Sequence, residues 1–157
     1  MILLFTIDRV ETAAEADPGE SLMDVLRRLG HTSVKNGCDR GDCGSCAVLV
    51  DGRAVNACLV FAAQVDGAVI GTVEGLAVDG ELHPLQSAAL DGSAVQCGFC
   101  TPGMLMVAAD LLSRNPEPDE ADVRNALSGS FCRCSGYVKP VEAILAAAAA
   151  LLDRQRP

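Results

Sequence analysis

Eight cysteines among 157 residues constrain this chain more strongly than any other feature of its sequence. They fall into two groups of four, one in each half of the chain: Cys38, Cys43, Cys46 and Cys58, then Cys97, Cys100, Cys132 and Cys134. A disulfide-stapled secreted protein would need an export signal. We expect none, because no basic region precedes the apolar residues Met1 to Phe5 and Asp8 ends that stretch. Metal ligation is therefore the leading explanation for the cysteines.

The first group has the spacing C-x4-C-x2-C, followed after eleven residues by a fourth cysteine. This is the arrangement of plant-type 2Fe–2S ferredoxins, in which one loop surrounds most of the cluster. The loop contains three glycines, which permit positive φ angles and allow backbone N–H groups to turn toward the sulfurs: Gly37, Gly41 and Gly44. Zinc sites more often pair two C-x2-4-C knuckles. The spacing therefore favours an iron–sulfur cluster over zinc.

The second group consists of C-x2-C, a gap of 31 residues, and C-x-C. Its first pair lies just before Pro102, at the start of a predicted helix, where the helix dipole and free N–H groups favour thiolates. Taken alone, this spacing also suits zinc. Beside the first group, a second iron–sulfur cluster is favoured, since two one-electron centres in one small chain form a relay.

Apolar runs and turn residues predict several strands and one helix in roughly the first 75 residues. The helix runs from Ser21, which can cap its start, to Leu29, and Gly30 follows as a C-terminal stop. The predicted strands are 1–7, 47–50, 54–55 and 68–73, with Asp51-Gly52 as a hairpin turn. Strand, helix and hairpin in this order indicate a small α+β domain.

From His83 onward the apolar pattern is helical. The predicted helices are Pro84–Leu90, Pro102–Ser113, Glu120–Leu127 and Val141–Leu152. Pro102 and Pro140 lie where the first turn of a helix tolerates a missing N–H. Residues 74–82, which include two glycines, form the expected linker. We therefore divide the chain into an α+β domain over residues 1–76 and a helical domain over residues 77–157.

Composition and charge argue against several functions. The net charge of −9 is unsuited to nucleic-acid binding, which needs a basic surface. Aromatic residues make up only 3% and the C-terminal third is rich in alanine, so we expect no substrate pocket and no catalytic residue within this chain. The longest apolar run, Ala143 to Leu152, is shorter than the ~20 residues of a membrane-spanning helix. We expect a cytoplasmic location, unless a partner subunit has an export signal.

Five segments of the sequence resemble one known family: Asn36–Cys46, Thr72–Leu76, Leu82–Gln86, Gln96–Gly103 and Cys132–Tyr137. The chain is similar to the small 2Fe–2S subunit of molybdenum hydroxylases, the family of xanthine dehydrogenase, aldehyde oxidoreductase and carbon monoxide dehydrogenase. The similarity extends in unbroken order over about residues 2–150 and includes all eight cysteines.

The resemblance implies a fold, cofactors and partners. The first half would be a ferredoxin-like β-grasp domain and the second a four-helix bundle, each with one 2Fe–2S cluster held by its four cysteines. A large partner subunit would bind molybdopterin, of the cytosine dinucleotide type, and choose the substrate. A medium partner would bind FAD, in a heterotrimer or its dimer. Electrons would pass from molybdenum to the helical-domain cluster, then to the ferredoxin-like cluster, then to flavin or another acceptor.

Two residues gain a further role from the resemblance. Gln96 matches a glutamine that hydrogen-bonds the pterin in relatives, although without the motif it is an ordinary polar residue at a helix boundary. Cys134 matches a cluster ligand that also approaches the pterin. Arg133 is either a counter-charge for the cluster or a plain surface residue. His31 and His83 are expected to be structural, because eight thiolates already complete two sites.

The sequence departs from the family pattern near the second cysteine group. Gly129-Ser130-Phe131 stands where the family usually has Gly-Asn-Leu, Ser135 replaces a frequent threonine, and Pro140 replaces a common isoleucine. None of these changes removes a cysteine. They can alter hydrogen bonds around the cluster, and hence its potential.

Two other classes of protein share the cysteine pattern. A stand-alone two-cluster ferredoxin would contain the same cysteines but need no partner, and Gln96 and the helical half speak against it. A zinc-binding interaction module would be colourless, whereas an iron–sulfur protein is red-brown.

Overall fold

Alternating burial defines the first strand. In β1 (Ile2–Ile7), the side chains of Leu3, Phe5 and Ile7 are buried, whereas Leu4 is exposed. This period of two residues is that of a strand with one face on a core. The computed structural model describes residues 1–155 of the chain, so the last two residues of the predicted helical domain lie outside the described part.

The described residues form one five-stranded sheet, in the order β2-β1-β5-β3-β4. The strands after β1 are β2 (Val10–Glu15), β3 (Ala47–Val50), β4 (Arg53–Asn56) and β5 (Val69–Gly71). Strands β1 and β5 are parallel, and the other neighbours are antiparallel. Four of these strands are predicted from the sequence. The edge strand β2 is missing from the prediction, because it has little apolar alternation and only Ala14 is buried.

Helix α1 (Leu22–Arg28) belongs to the same core as the sheet. Its start is set by Ser21, whose Oγ accepts a hydrogen bond from the N–H of Asp24 at 3.1 Å. Leu22 and Leu26 are fully buried and lie in one hydrophobic cluster with the buried side chains of β1. The helix predicted from the capping residue and the apolar spacing is confirmed.

Four further helices confirm the predicted helical pattern: α2 (Pro84–Asp91), α3 (Thr101–Arg114), α4 (Glu120–Ala126) and α5 (Lys139–Gln155). They pack around a second core that includes Leu105, Ala108, Ile144 and Ala147. Ala108 and Ala147 are fully buried, and such small side chains allow close approach of helix axes. Within residues 1–155, no helix is both long and apolar enough to cross a bilayer.

The segment between the sheet and α2 is attached to both by side-chain hydrogen bonds. Thr72 donates from its N–H and from its hydroxyl to the Asp8 carboxylate, at 2.7 and 2.6 Å. Gln86 donates from Nε2 to the carbonyl oxygen of Val73 at 2.9 Å. Hydrogen bonds of the segments Thr72–Leu76 and Leu82–Gln86 therefore connect the end of β1 to the start of α2.

A buried carboxylate joins α3 to the sheet. Asp110 accepts hydrogen bonds from Arg114 at 3.0 and 3.2 Å, and its Oδ1 lies 3.2 Å from Nε of Arg53 on β4. Burial alone would raise the pKa of the Asp110 carboxyl, but Arg114, the N–H of Ala54 and Arg53 hold it below its ordinary value. Asp110 is therefore charged at neutral pH and links the helices to the sheet.

We expect Asp110→Asn to weaken this link, because Arg53 and Arg114 lose their shared counter-charge. The expected loss in free energy of unfolding is about 1–2 kcal/mol, since the side chains of Arg53 and Arg114 are 65% and 49% exposed to water. Urea unfolding at neutral pH, followed by circular dichroism, measures the loss. Asp91→Asn, at an exposed position of α2, is the matched control. Equal midpoints for the two variants would contradict the role of Asp110.

Candidate iron–sulfur sites

Strand pairing brings the last two cysteines of the first group together. Cys46 lies directly before β3, and Cys58 lies in the turn that follows β4. The two strands form an antiparallel hairpin, and the N–H of Ala57 donates to the carbonyl oxygen of Cys46 at 3.3 Å. The hairpin therefore places both thiols at its open end, where their side chains lie beside each other.

The loop before β3 contains the other two thiols of the first group. The side chains of Cys38 and Cys43 lie beside each other, and backbone N–H groups, that of Arg40 most of all, lower the pKa of Cys38 to about 7. Gly37 has no room for a side chain, since a Cβ there would lie 2.9 Å from Sγ of Cys43. Gly41 has a φ of +87°, which glycine adopts readily. The loop therefore turns backbone N–H groups toward a readily ionised thiol.

The second group is assembled from the connections between helices. Cys97 and Cys100 precede α3, and Cys100 is the residue that caps its start. Cys132 and Cys134 lie between α4 and α5, in a segment where Ser135 has a φ of +62°. The side chain of Cys97 lies beside that of Cys134, and the side chain of Cys100 lies beside that of Cys132.

Each group thus consists of two close thiol pairs rather than one compact cage. Among residues 1–155, no three of the eight sulfurs lie within 4.8 Å of one another. A tetrahedral zinc ion with Zn–S bonds of about 2.3 Å would hold all four sulfurs roughly 3.8 Å apart. Two pairs, each suited to one iron, match the four-thiolate donor set of a diiron core. The geometry therefore disfavours zinc.

Buried thiols in both groups need a cation in order to ionise. Burial raises the pKa of Cys46 to about 12 and that of Cys100 to about 12. Such thiols stay protonated at neutral pH until a metal replaces the proton. The donor set therefore fits a metal cluster, whose binding would release these protons.

Cys132 is the most enclosed thiol of the second group, with 8% of the residue exposed. The N–H of Gly136 donates to its Sγ at 3.3 Å, and a Cβ on Gly136 would lie 3.2 Å from the same sulfur. The N–H of Cys132 donates to Oη of Tyr137 at 2.8 Å. Sequence reasoning assigns Tyr137 no role, because a phenol five residues from a cysteine is not a spacing signal.

Gln96 and Cys134, both predicted to face a pterin, lie side by side. Nε2 of Gln96 donates to the carbonyl oxygen of Cys134 at 3.1 Å. Gln96 and Cys97 are exposed, so this edge of the second group is open to a partner. Arg133, next to Cys134 in the chain, is also exposed.

The two histidines lie outside both cysteine groups. Nδ1 of His83 accepts a hydrogen bond from the N–H of Leu85 at 3.1 Å and caps the start of α2. Nδ1 of His31 lies 3.0 Å from the carboxylate of Glu74 and 3.7 Å from that of Asp8. The contact of His83 is that of a helix cap. The structural role of His31 stays a prediction, because its ring and the carboxylates of Asp8 and Glu74 lie within 4.8 Å of one another, close enough to hold a metal ion.

Two family models together match most of the chain. One is described as a 2Fe–2S iron–sulfur cluster binding domain and matches residues 5–72. The other is described as a 2Fe–2S binding domain and matches residues 72–145. The prediction that each half of the chain binds a 2Fe–2S cluster is thereby confirmed, while the identity of the ligands stays a prediction.

Named relatives match the chain over most of their length. The nicotinate dehydrogenase small FeS subunit of Eubacterium barkeri is 47% identical over 124 residues, which are 78% of this chain and 79% of that protein. The nicotine 6-hydroxylase small subunit of Paenarthrobacter nicotinovorans is 49% identical over 148 residues, 88% of this chain and 89% of that protein. The crystal structure of quinoline 2-oxidoreductase from Pseudomonas putida 86 has a TM-score of 0.93 at 40% identity, covering 99% of this chain and 98% of that one.

We expect Cys43→Ser to remove the first cluster and to leave the second intact, because the two groups of thiols lie in different cores. Iron should fall from about four to about two atoms per chain, and one of two EPR signals should disappear on reduction. Cys97→Ser is the reciprocal control and should remove the other signal. Loss of both signals from either variant would show that the clusters assemble together.

Proposed function

Since the chain belongs to the small iron–sulfur subunits of the molybdenum hydroxylase family, we propose that it relays electrons from a molybdenum–pterin centre on a large partner subunit to FAD on a medium partner. Electron transfer through two 2Fe–2S clusters is the role that family membership assigns to the chain. The observation that supports the proposed route is the arrangement of eight free thiols as two groups of two pairs.

We propose that all eight cysteines are cluster ligands and that each close thiol pair holds one iron. In the first group the pairs are Cys38 with Cys43 and Cys46 with Cys58; in the second they are Cys97 with Cys134 and Cys100 with Cys132. The neighbouring N–H groups support this assignment, because they are fixed dipoles that stabilise an anionic cluster. When bound, the clusters supply one-electron redox chemistry, and the protein supplies their position and surroundings.

The second cluster is proposed to face the molybdenum–pterin centre. Gln96 and Cys97 are exposed, and the Gln96 amide is held against the backbone of Cys134. The first cluster is proposed to face the flavin subunit. Near its loop, Leu59 and Phe61 are 61% and 52% exposed, and the Leu59 side chain lies against Gly41. Exposed apolar side chains of this kind suit a protein interface.

We also propose a division of the chain into two domains with the folds of the family. The sheet with α1 would be a ferredoxin-like β-grasp domain over residues 1–76, and α2 to α5 a four-helix bundle over residues 77–157. Separate hydrophobic cores support this division. Contacts between α2 and α5 and between α3 and the other three helices support a bundle.

The partners and cellular location are proposed from the family. The pterin would be of the cytosine dinucleotide type, and the complex a heterotrimer or its dimer in the cytoplasm. A stand-alone two-cluster carrier is disfavoured, since relatives that match over most of their length are named as subunits.

A tag on this chain, used to purify the complex from its native source, tests the proposed function. We expect a larger molybdopterin-containing subunit and an FAD-containing subunit to co-purify, with about four iron and about four sulfide per copy of this chain. A red-brown protein that purifies without partners would favour the stand-alone carrier. Zinc in place of iron would overturn both the proposed subunit function and the stand-alone carrier.

We expect Gln96→Ala to keep both clusters but to weaken the association with the pterin-containing subunit, because the exposed amide is proposed to bind the pterin. The measurements are the iron content, the EPR signals and the affinity for the large subunit. Asn125→Ala, at an exposed position of α4, is the control and should leave all three unchanged. Loss of iron from Gln96→Ala would show instead that the side chain only supports Cys134.

A further inference from the structure

The loops that contain the two cysteine groups are in direct contact. The N–H of Phe131 donates to the carbonyl oxygen of Cys43 at 2.9 Å. Phe131 immediately precedes Cys132, so the two groups are connected through one hydrogen bond and one residue. This hydrogen bond is formed by backbone atoms alone, which leaves its geometry little freedom to vary.

Glycines make this close approach possible. Gly44 has a φ of +68°, and a Cβ there would lie 2.5 Å from the carbonyl oxygen of Gly129. Gly103, in the first turn of α3, lies so close that its Cβ would overlap the carbonyl oxygen of Gly44. On the other side of the loop, a Cβ on Gly37 would lie 3.3 Å from the ring of Phe99. The first cysteine loop is therefore in close contact with the second half of the chain at Gly44, while Asp39, Arg40 and Asp42 stay exposed.

We propose that Gly44 and Gly103 are positioning residues: their contact sets the distance between the two clusters, and with it the rate of electron transfer between them. The inference rests on the proposed function, since it needs a cluster in each group. A side chain on Gly103 would meet backbone atoms, which cannot rotate aside as a side chain would. Because packed interiors transmit such strain, the helices that hold the second group would move away from the first.

The transfer step moves one electron and neither forms nor breaks a bond. The cluster that Cys97, Cys100, Cys132 and Cys134 would hold would lose the electron, with one iron passing from ferrous to ferric, and the oxidised cluster that the first group would hold would gain it. The electron comes from the molybdenum centre in the proposed complex and from dithionite or photoreduction in the test. Electron tunnelling slows steeply with distance, so a small displacement at Gly103 is expected to have a measurable effect.

The test compares native protein and Gly103→Ala in the purified complex, with both clusters reduced. Both clusters are then paramagnetic, and their dipolar splitting in the EPR spectrum falls with the cube of the distance between them. We expect a clear splitting in the native protein. In Gly103→Ala we expect full iron content, a smaller splitting, and a several-fold slower redistribution of an electron after flash photoreduction.

Gly129→Ala is the matched control. It lies in the same contact, yet a Cβ there would meet nothing within 4 Å, so its splitting and transfer rate should equal the native values. The proposal would be overturned if Gly103→Ala with full iron content had the dipolar splitting and the electron-transfer rate of the native protein. It would also be overturned if the two reduced clusters of the native protein showed no dipolar splitting. These outcomes differ from failure of the proposed function, which would give zinc or a single paramagnetic centre.

A second variant avoids added bulk, in case Gly103→Ala does not load iron. Phe99→Ala removes the ring that lies beside Gly37 and adds no atom to the contact. We expect this variant to keep both EPR signals and to show a wider distribution of dipolar splittings, because one side of the first cysteine loop loses its contact with the Phe99 ring. An unchanged, sharp splitting in Phe99→Ala, together with loss of iron from Gly103→Ala, would assign Gly103 to folding and overturn the proposal.

Discussion

The need to ionise half-buried sulfur is the constraint on which the rest of this structure depends. Burial raises the pKa of Cys46 and Cys100, so these thiols would become the proposed ligands only when a metal and nearby dipoles stabilise the thiolate. Backbone N–H groups provide such dipoles at Cys38 and at Cys132. They can do so only if the backbone turns inward, which explains why glycines lie beside the cysteines in both halves.

The two halves of the chain position their four thiols with different secondary structure. In the first, a hairpin aligns two thiols at its open end and a glycine-rich loop adds two more. In the second, the start of α3 and the segment before α5 each contribute two thiols. Contacts that join the halves include the ion pair of Asp110 with Arg53, the hydrogen bond from Gln86 to Val73, the hydrogen bond from Phe131 to Cys43, and the contact of Gly44 with Gly103. The proposed electron transfer would depend on the closeness of this last contact, which glycine allows.

Local patterns in the sequence predict much of this fold. Apolar spacing and capping residues locate α1 and the four later helices to within a few residues, and four of the five strands in the described part of the chain. Strand β2 is not predicted, because its place in the sheet depends on pairing with β1 rather than on its own apolar pattern. Nor is Tyr137 given a role, since its hydrogen bond to Cys132 depends on the path of the loop.

The sequence by itself determined the candidate donors: eight cysteines in two spacings, with glycines and prolines where turns and helix starts need them. Only the tertiary structure decided which thiols form pairs, that Gln96 lies against Cys134, and that the two cysteine loops touch. The physical reason is distance along the chain. Spacing and propensity act over a few residues, whereas Cys97 meets Cys134, and Gly44 meets Gly103, only through the packing of helices on one another and on the sheet.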